Sequence, residues 1–454
     1  MTSKKLLTLL LICLSGYVYG QKTRPNIVFI LTDDQRWDAL GHAGNTIIQT
    51  PEMDELAQEG VYFKNAFVTT PICAASRATI ITGLYERKHN YTFQQPPVKN
   101  EFIDNSYPAV LKSEGYYSGF LGKMGVNFEN KRDTSLFDVY KPEPVGAYFR
   151  LVEEGTKHKH TTDVIRDNAI DFIEKAPADQ PFCLSISFHA PHADDSSPQQ
   201  YFWPQEVDSL YKNVTIPGPA MADDNYFMKL PLPVREGFNR ARWNWRFDSP
   251  EKYQQMVKGY YRMITGIDRA IAKIRTALEA KGVDKNTVII LMGDNGYFLG
   301  ERQLAGKWLM YEPSLRVPLI IYDPSGVGNK TVEDMALNVD IAPTILDFAQ
   351  AKVPASYQGM SLTGHTKKTK MAVPRREAFL CEHLWNFKPI AASEGIRTEK
   401  YKYFRYRDIP DSEELYDLVN DPWETKNLVQ DKASQKILAA LRRQCNEEIE
   451  SLSK

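Results

Sequence analysis

Four short apolar runs in this sequence each end on groups capable of chemistry. Residues 26–31 run into Thr32-Asp33-Asp34, and residues 287–292 run into Gly293-Asp294-Asn295-Gly296. Each end offers a carboxylate and a second oxygen, a hard donor set that suits calcium or magnesium better than zinc. The other two ends are basic. Phe120-Leu121-Gly122 leads to Lys123, and Ser187-Phe188 leads to His189-Ala190-Pro191-His192. Carboxylates that hold a cation, ringed by ammonium and imidazole groups, form a receptor for the oxyanion of an ester. An isolated Asp-Asp is more often a turn, and a lone His or Lys is more often surface or core detail. Their coincidence at four run ends points to a metal-dependent hydrolase of anionic esters, and position alone goes no further.

The nucleophile candidate lies in Cys73-Ala74-Ala75-Ser76-Arg77-Ala78-Thr79-Ile80-Ile81-Thr82-Gly83. This stretch resembles the signature of type I sulfatases, Cys-x-(Pro/Ala)-Ser-Arg-x-x-x-(aliphatic)-x-(Thr/Ser)-Gly, with Ile81 where leucine is commonest. Residues 24–34, 293–296, 307–318 and Asn420-Asp421-Pro422-Trp423-Glu424 are similar to the same family, so the resemblance runs from one end of the chain to the other. It implies an alkaline-phosphatase-like fold and a Cys73 oxidised before folding to formylglycine (3-oxoalanine) by a maturing enzyme, the hydrate being the nucleophile. A thiol attacking sulfur would give a thiosulfate ester with no easy exit, whereas one hydroxyl of a gem-diol can attack and the other later expel sulfate. The residues after Cys73 read as a helix, which places the nucleophile at a positive N-terminus with Arg77 one turn on and on the same face.

Carried over residue by residue, the resemblance gives Asp33, Asp34, Asp294 and Asn295, with residue 73, as ligands of Ca2+. It gives Lys123, His192 and Lys307 as groups gripping the sulfate oxygens. Lys307 or His192 would protonate the departing alcohol, since an ester oxygen leaves poorly without a proton. The sequence departs from the family at one point. A histidine is common two residues after the lysine corresponding to Lys123, and here that position is Gly125. Either His189 or His89 replaces it, or the second step is slower.

The elements that must position these groups follow from periodicity. Short β-branched runs alternate with helical patterns, the mark of an α/β fold with a large, mostly parallel sheet flanked by helices. Strands are expected at 26–31, 117–121, 182–188, 287–292 and 317–322. Thr50-Pro51 predicts a helix start and Gly60 its end. Residues 251–281 carry Met256, Val257, Tyr260, Tyr261, Ile264, Ile267, Ile271, Ile274 and Leu278 at helical spacing, a core-packing stripe. Residues 191–250 hold eight prolines and no sustained period, and predict long loops over the domain. From about residue 374 the runs 379–384, 391–397, 401–406 and 414–418 predict antiparallel strands, with a terminal helix from about 433. The expected organisation is a leader at 1–20, a catalytic domain at 21–370 and a smaller α+β subdomain at 371–454.

Composition bounds the rest. Lysine and arginine number 56 against 57 acidic residues, which argues against a nucleic-acid partner. Lys4 and Lys5 before the apolar run 6–14, with Gly16 and Gly20 after it, read as a secretory signal processed after Gly20, and no other run is long enough to span a membrane. Export to the periplasm follows as the expectation. Of the remaining cysteines, Cys183 reads as a buried small hydrophobe and Cys73 belongs to the motif, so at most one disulfide, Cys381–Cys445, is expected.

The loop expected at 235–247 holds Arg242, Trp243 and Arg246, and residues 382–385 add His383 and Trp385. Together with His189 they are candidate contacts to a sugar, since aromatic faces stack on rings and arginines pair with sulfates or uronates. Trp243 could equally anchor the loop to the core. Residues 296–301 and 308–314 are similar to carbohydrate sulfatases, including bacterial enzymes acting on ulvan, carrageenan or glycosaminoglycans, so a sulfated glycan is the implied substrate class. The alternative is a phosphodiesterase or phosphonate monoester hydrolase of the same superfamily, for which the eight histidines supply a second metal poorly.

Overall fold

The computed structural model describes residues 24–454 except 94, 145, 147, 153–156 and 370–372, so the expected leader and the expected boundary at 370/371 lie outside the described residues. An eight-stranded sheet organises the larger part. It comprises β1 (Asn26–Thr32), β2 (Val61–Phe63), β3 (Tyr117–Gly122), β4 (Val139–Pro142), β5 (Phe182–Ser187), β6 (Thr287–Gly293), β7 (Leu319–Tyr322) and β8 (Lys330–Val332), in the order β8-β2-β7-β6-β1-β5-β3-β4. Strands β6, β1, β5, β3 and β4 are parallel. The strand expected at 317–322 is β7, and it runs antiparallel to both its neighbours.

Every residue of β1, β5 and β6 is buried, which explains why they read as continuous apolar runs. Along β1, Val28 and Ile30 pack under α3 (Thr161–Lys175) and α5 (Pro250–Lys281), while Ile27, Phe29 and Leu31 pack under α2 (Cys73–Thr82) and α6 (Ile341–Phe348). Two helical layers therefore hold the sheet, and the nucleophile candidate opens α2. Helix α1 (Pro51–Glu59) begins and ends where expected, but Thr50 does not cap it. Asp268 of α5 does so instead, accepting from Met53 N at 2.8 Å and Glu52 N at 3.3 Å. Ser249 caps α5 on Lys252 N, and Gly282, at φ +74°, ends it.

The proline-rich stretch is mostly loop, with one consequential exception. Residues expected to form an arginine-bearing loop form α4 (Phe238–Arg246). No proline falls between Pro233 and Pro250, and burial of Arg242 and Arg246 on one side gives the helix a face to pack.

The C-terminal part is a four-stranded antiparallel sheet, β9 (Ala378–His383), β10 (Ser393–Thr398), β11 (Tyr401–Tyr406) and β12 (Glu413–Asp417), backed by α7 (Gln435–Ser453). Its core is continuous with residues of the larger part, Phe67, Met310, Tyr311 and Leu315 among them. Lys402 is fully buried between Glu312 (2.9 Å) and Glu424 (2.5 Å), and Glu424 also accepts from Glu312 N at 2.9 Å. Glu424 is the last residue of the Asn420–Glu424 motif, whose place here is to clamp the start of the segment Glu312–Leu315. The disulfide expected between Cys381 and Cys445 is not formed. Both thiols are free and buried in this apolar core as small hydrophobes, and burial pushes each up to about 12.

Candidate active site

The four ends β6, β1, β5 and β3 are neighbours in that order, so the groups that follow them meet at one edge of the sheet. Register makes them level. Thr32 pairs with Gly293, and Leu31 and Gly122 both pair with Ser187. Backbone bonds continue past the strands, Asp294 N to Thr32 O at 2.9 Å, Asp33 N to Ala190 O at 3.1 Å and Lys123 N to Ser187 O at 2.9 Å. At Gly122, φ is +100° and a Cβ would stand 2.0 Å from Ser187 O, so only glycine permits this approach.

Around these ends three carboxylates face three cations. Asp33 pairs with Lys123, with Arg77 Nη2 at 3.5 Å and with Lys307 Nζ at 3.7 Å. Asp34 Oδ1 accepts from Lys307 Nζ at 2.5 Å and Asn295 Nδ2 at 2.6 Å, and its Oδ2 lies 3.8 Å from His192 Nε2. Asp294 accepts from Arg77 Nε at 2.8 Å and from Asp34 N at 3.1 Å. Donor atoms of Asp33, Cys73 and Asp294 lie within 4.8 Å of one another, as do those of Asp33, Asp34 and His192. The two groups share Asp33 and so describe one centre. Among the described residues, Asp33 Oδ1, Asp34 Oδ2 and Asn295 Oδ1 are buried without a hydrogen-bond donor. Unsatisfied buried oxygens of this hardness fit a calcium-like cation.

The N-terminus of α2 is fixed from two sides. Arg77 donates to Lys123 O at 2.6 Å and to Ser187 Oγ. Asn338 donates to Ser76 Oγ at 2.9 Å and accepts from Thr69 N at 3.0 Å. Cys73 is buried, 6% exposed, at the first position of the helix with no side-chain cap competing for its N–H groups.

Charge balance sets the proton affinities. Burial alone would raise the Asp33 carboxyl, but Lys123, Lys307, His192 and Arg77 hold it well below the usual range. Burial and the charge of Asp33 push Asp294 up to about 6 against the pull of Arg77. Burial would lower Lys123 and Lys307, yet the carboxylates beside them raise both. His189 and His192 are driven well down, chiefly by burial, with Lys123 and Lys307 contributing, so both are neutral imidazoles at pH 7.

The two candidates for the missing base are placed differently. His89 is engaged at both nitrogens, accepting from Tyr91 N at 3.1 Å and meeting Thr79 Oγ1 at 3.1 Å, with burial taking it down to about 3. Among the described residues neither ring nitrogen of His189 has a hydrogen-bond partner, and its ring lies 5.2 Å from His192 and 4.9 Å from Tyr148. At Gly125 itself φ is +69° and a Cβ would stand 3.1 Å from Arg77 Cδ, so a side chain there would be strained and would press on Arg77.

Of the expected sugar contacts, most are buried and differently employed. Arg242 and Arg246 of α4 both bind Asp195, Arg242 through Nε at 3.0 Å. They therefore join the His192 loop to α4 and do not line a surface. Trp243 is half-buried, packs on the main core and stacks with Arg240 at 4.0 Å. His383 lies fully buried in β9, and among the described residues neither of its ring nitrogens has a hydrogen-bond partner. Trp385, like Trp243, is only half-buried, and it lies beside Phe93 and Phe387. Asp195, Ser187, Asn338 and Tyr148, whose hydroxyl donates to His192 O at 3.1 Å, were not singled out from the sequence. Only Asp195, three residues after His192, carried any local signal.

Residues 25–351 match the family described as Sulfatase. The chain belongs to the sulfatase family. It is a sulfuric ester hydrolase, and residues 300–451 of this sulfatase also match the family described as N-sulphoglucosamine sulphohydrolase, C-terminal. It is 27% identical to an N-acetylglucosamine-6-O-sulfatase of Bacteroides thetaiotaomicron, over 89% of this chain and 82% of that protein. It is 28% identical to an ulvan-active sulfatase of Formosa agariphila, over 90% of this chain and 78% of that one. Among solved structures, one in complex with its substrate D-glucosamine-2-N,6-O-disulfate is similar at a TM-score of 0.80 and 26% identity, covering 94% of this chain and 98% of that one. The phosphonate monoester hydrolase of Agrobacterium radiobacter shares the fold at a TM-score of 0.76 and 23% identity, covering 94% of this chain and 95% of that one.

Proposed function

We propose that this sulfatase hydrolyses sulfate esters on a sulfated glycan, of algal ulvan or carrageenan type or a glycosaminoglycan. Residue 73, matured to formylglycine, would be the nucleophile. The observation that carries this is the convergence of Asp33, Asp34, Asp294, Lys123, Lys307 and the His189–His192 loop on Cys73 at the mouth of α2. Relatives named for sulfated sugars over most of their length support the substrate class. Asp33, Asp34, Asp294, Asn295 and residue 73 would hold Ca2+, consistent with the three donor-less oxygens. The aldehyde hydrate would supply the attacking hydroxyl and a second hydroxyl through which sulfate can be expelled, and the cation would supply positive charge beside it.

Lys123, Lys307 and His192 present N–H donors to the sulfuryl oxygens, where negative charge accumulates as the ester bond breaks. Arg77 is a positioning residue, tied to Asp294 and to the carbonyl of Lys123. Of the two candidates for protonating the leaving sugar oxygen, Lys307 is the charged one, whereas His192 is a neutral imidazole and can only donate a hydrogen bond. His189, with both nitrogens unengaged and neutral at pH 7, is suited to accept a proton when the enzyme resets, the task that no side chain at position 125 performs. A formylglycine-generating enzyme would be the maturation partner, and the segment 1–20 would direct export to the periplasm.

Mass spectrometry of the tryptic peptide spanning position 73 tests the nucleophile. Maturation replaces sulfur by oxygen and removes two hydrogens. Parallel assays on aryl sulfate and aryl phosphonate esters test the reaction. An unmodified Cys73 in active enzyme, or faster turnover of the phosphonate, would overturn the proposal.

A further inference from the structure

Beside the nucleophile lies a run of aromatic rings that the site described above leaves unused. Its root is buried and consists of Ile72, Ala75, Trp308 and Ile390. Ile72 precedes Cys73, Ala75 lies two residues after it, and Trp308 follows Lys307, so the root is continuous with the reaction centre. On this root stand Phe93, Phe238, Trp385 and Phe387, all only partly buried. Trp385 and Phe387 are stacked, with centroids 4.5 Å apart and planes 7° from parallel. Phe93 lies 4.6 Å from Trp385, and Phe238 meets both Phe387 and Trp245, the last 40% exposed.

Packing alone does not account for this outer layer. The rings that join the C-terminal subdomain to the larger part, Phe67 and Phe379, are sealed. Those of the outer layer stay only partly buried where fuller burial of aromatic surface would stabilise the fold. The loop that carries Trp385 and Phe387 is also tethered near both ends. Glu382 N donates to Thr69 O at 2.8 Å just before it, and Phe238 N donates to Pro389 O at 2.9 Å near its end. Beneath it, the Arg242 guanidinium lies 4.7 Å from the Trp308 ring and 5.2 Å from that of Phe238, fixed there by Asp195. Lys388 is exposed in the same loop. A partly exposed aromatic shelf, tethered at both ends of its loop and with a cation at its edge, next to an anion-binding pocket, matches a pyranose ring. The C–H face of such a ring stacks on aromatic planes while its anionic substituents face outward.

We infer that Trp385 and Phe387, backed by Phe93 and Phe238, form the subsite for the sugar ring next to the one that loses its sulfate, so the enzyme distinguishes a sulfated oligosaccharide from a sulfated monosaccharide. This subsite presupposes the glycan sulfatase function proposed above. The test compares the matured wild type with Trp385→Ala, Phe387→Ala and the conservative Trp385→Phe. Substrates are sulfated monosaccharides and sulfated di- and tetrasaccharides from heparin, chondroitin sulfate and ulvan. Loss of either ring should raise KM for the oligosaccharides about tenfold, leave kcat and the monosaccharide constants unchanged, and be largely restored in Trp385→Phe.

A second readout does not need turnover. Calorimetric binding of the same tetrasaccharides to Cys73→Ala should weaken by the same factor when Trp385→Ala is added. Equal losses on monosaccharide and oligosaccharide, no loss on either, or cleavage confined to monosaccharides would overturn the subsite. Wild type that cleaves none of the sugars, while Cys73→Ala still binds tetrasaccharide through Trp385, would overturn the sulfatase substrate class and retain the shelf.

Discussion

Replacing Arg77 offers the sharpest test of how the centre is held. Arg77 is 2% exposed and makes four connections: Asp294, Asp33, the carbonyl of Lys123 and Ser187. Asp33, Asp34 and Asp294 are balanced by Arg77, Lys123 and Lys307, three charges against three. In the calcium-free protein Arg77→Met leaves one buried negative charge unmatched, centred on Asp294, which then has no cation within hydrogen-bond reach among the described residues. Breaking a buried pair from one side costs about 3–5 kcal/mol, which urea unfolding of the purified protein would register directly.

Arg77→Lys keeps the charge but cannot span Asp294 and the Lys123 carbonyl together. It should lose about 1–3 kcal/mol, the value of one or two hydrogen bonds to charged groups, and serves as the folded control. In both variants Lys123 and the end of β3 lose their tie to α2, so kcat on an aryl sulfate should fall by about 10²- to 10³-fold, with a smaller change in KM. An Arg77→Met protein within about 1 kcal/mol of wild type, or one with undiminished kcat, would show that Arg77 does not hold the centre together.

Three other outcomes are expected. Burial holds His89 and His383 down to about 3 and His160 to about 4, against 6.5 when unfolded, so the unfolded chain binds more protons at acid pH. Stability from these groups is present above pH 6.5 and is lost as pH falls toward those values, by about 1.4 kcal/mol per pH unit per histidine. Urea titrations at pH 7 and pH 5 should show the loss, and a slope unchanged in His89→Gln would refute it for that residue. Lys402→Met strands Glu424 in the core, while Glu312 keeps Arg397 at 3.5 Å and Arg316 at 3.8 Å, and should destabilise by about 3–5 kcal/mol, part of which Lys402→Met with Glu424→Gln recovers. No recovery in the double variant would show that the ion cluster is not the cause. Chelation with EGTA should abolish aryl sulfate turnover and lower the melting temperature, and calcium should restore both, the stabilisation at 100-fold excess over Kd being about 2.7 kcal/mol. Full activity after exhaustive chelation would exclude the cation.

Much of the centre was legible in the sequence because a parallel strand buried on both faces is an uninterrupted apolar run. Where the run stops, the chain has reached the ligand-binding edge of the sheet. That rule located Asp33, Asp34, Lys123, His189, His192, Asp294 and Asn295 before any strand order was known. Cys73 and Arg77 were legible through the resemblance of residues 73–83 to the sulfatase signature, and one turn of helix accounts for their placement on one face. The direction of β7 was not legible, since residues 319–322 carry the same apolar types whichever way they run. The helix α4 was missed because prolines on either side of it mask a short amphipathic segment.

The sequence by itself thus determined the chemistry on offer: the hard-oxygen ligands, the cations, the helix that presents residue 73, and the α/β class. Only the tertiary structure decided what pairs with what. Asp195 takes Arg242 and Arg246 from across some fifty positions, Lys402 seats itself between Glu312 and Glu424, and Cys381 and Cys445 stay reduced in apolar packing. Local propensity acts over a few residues, and strand edges inherit their chemistry from it. The partner of a buried charge is chosen by which distant surfaces the sheet order brings together, and no local pattern encodes that.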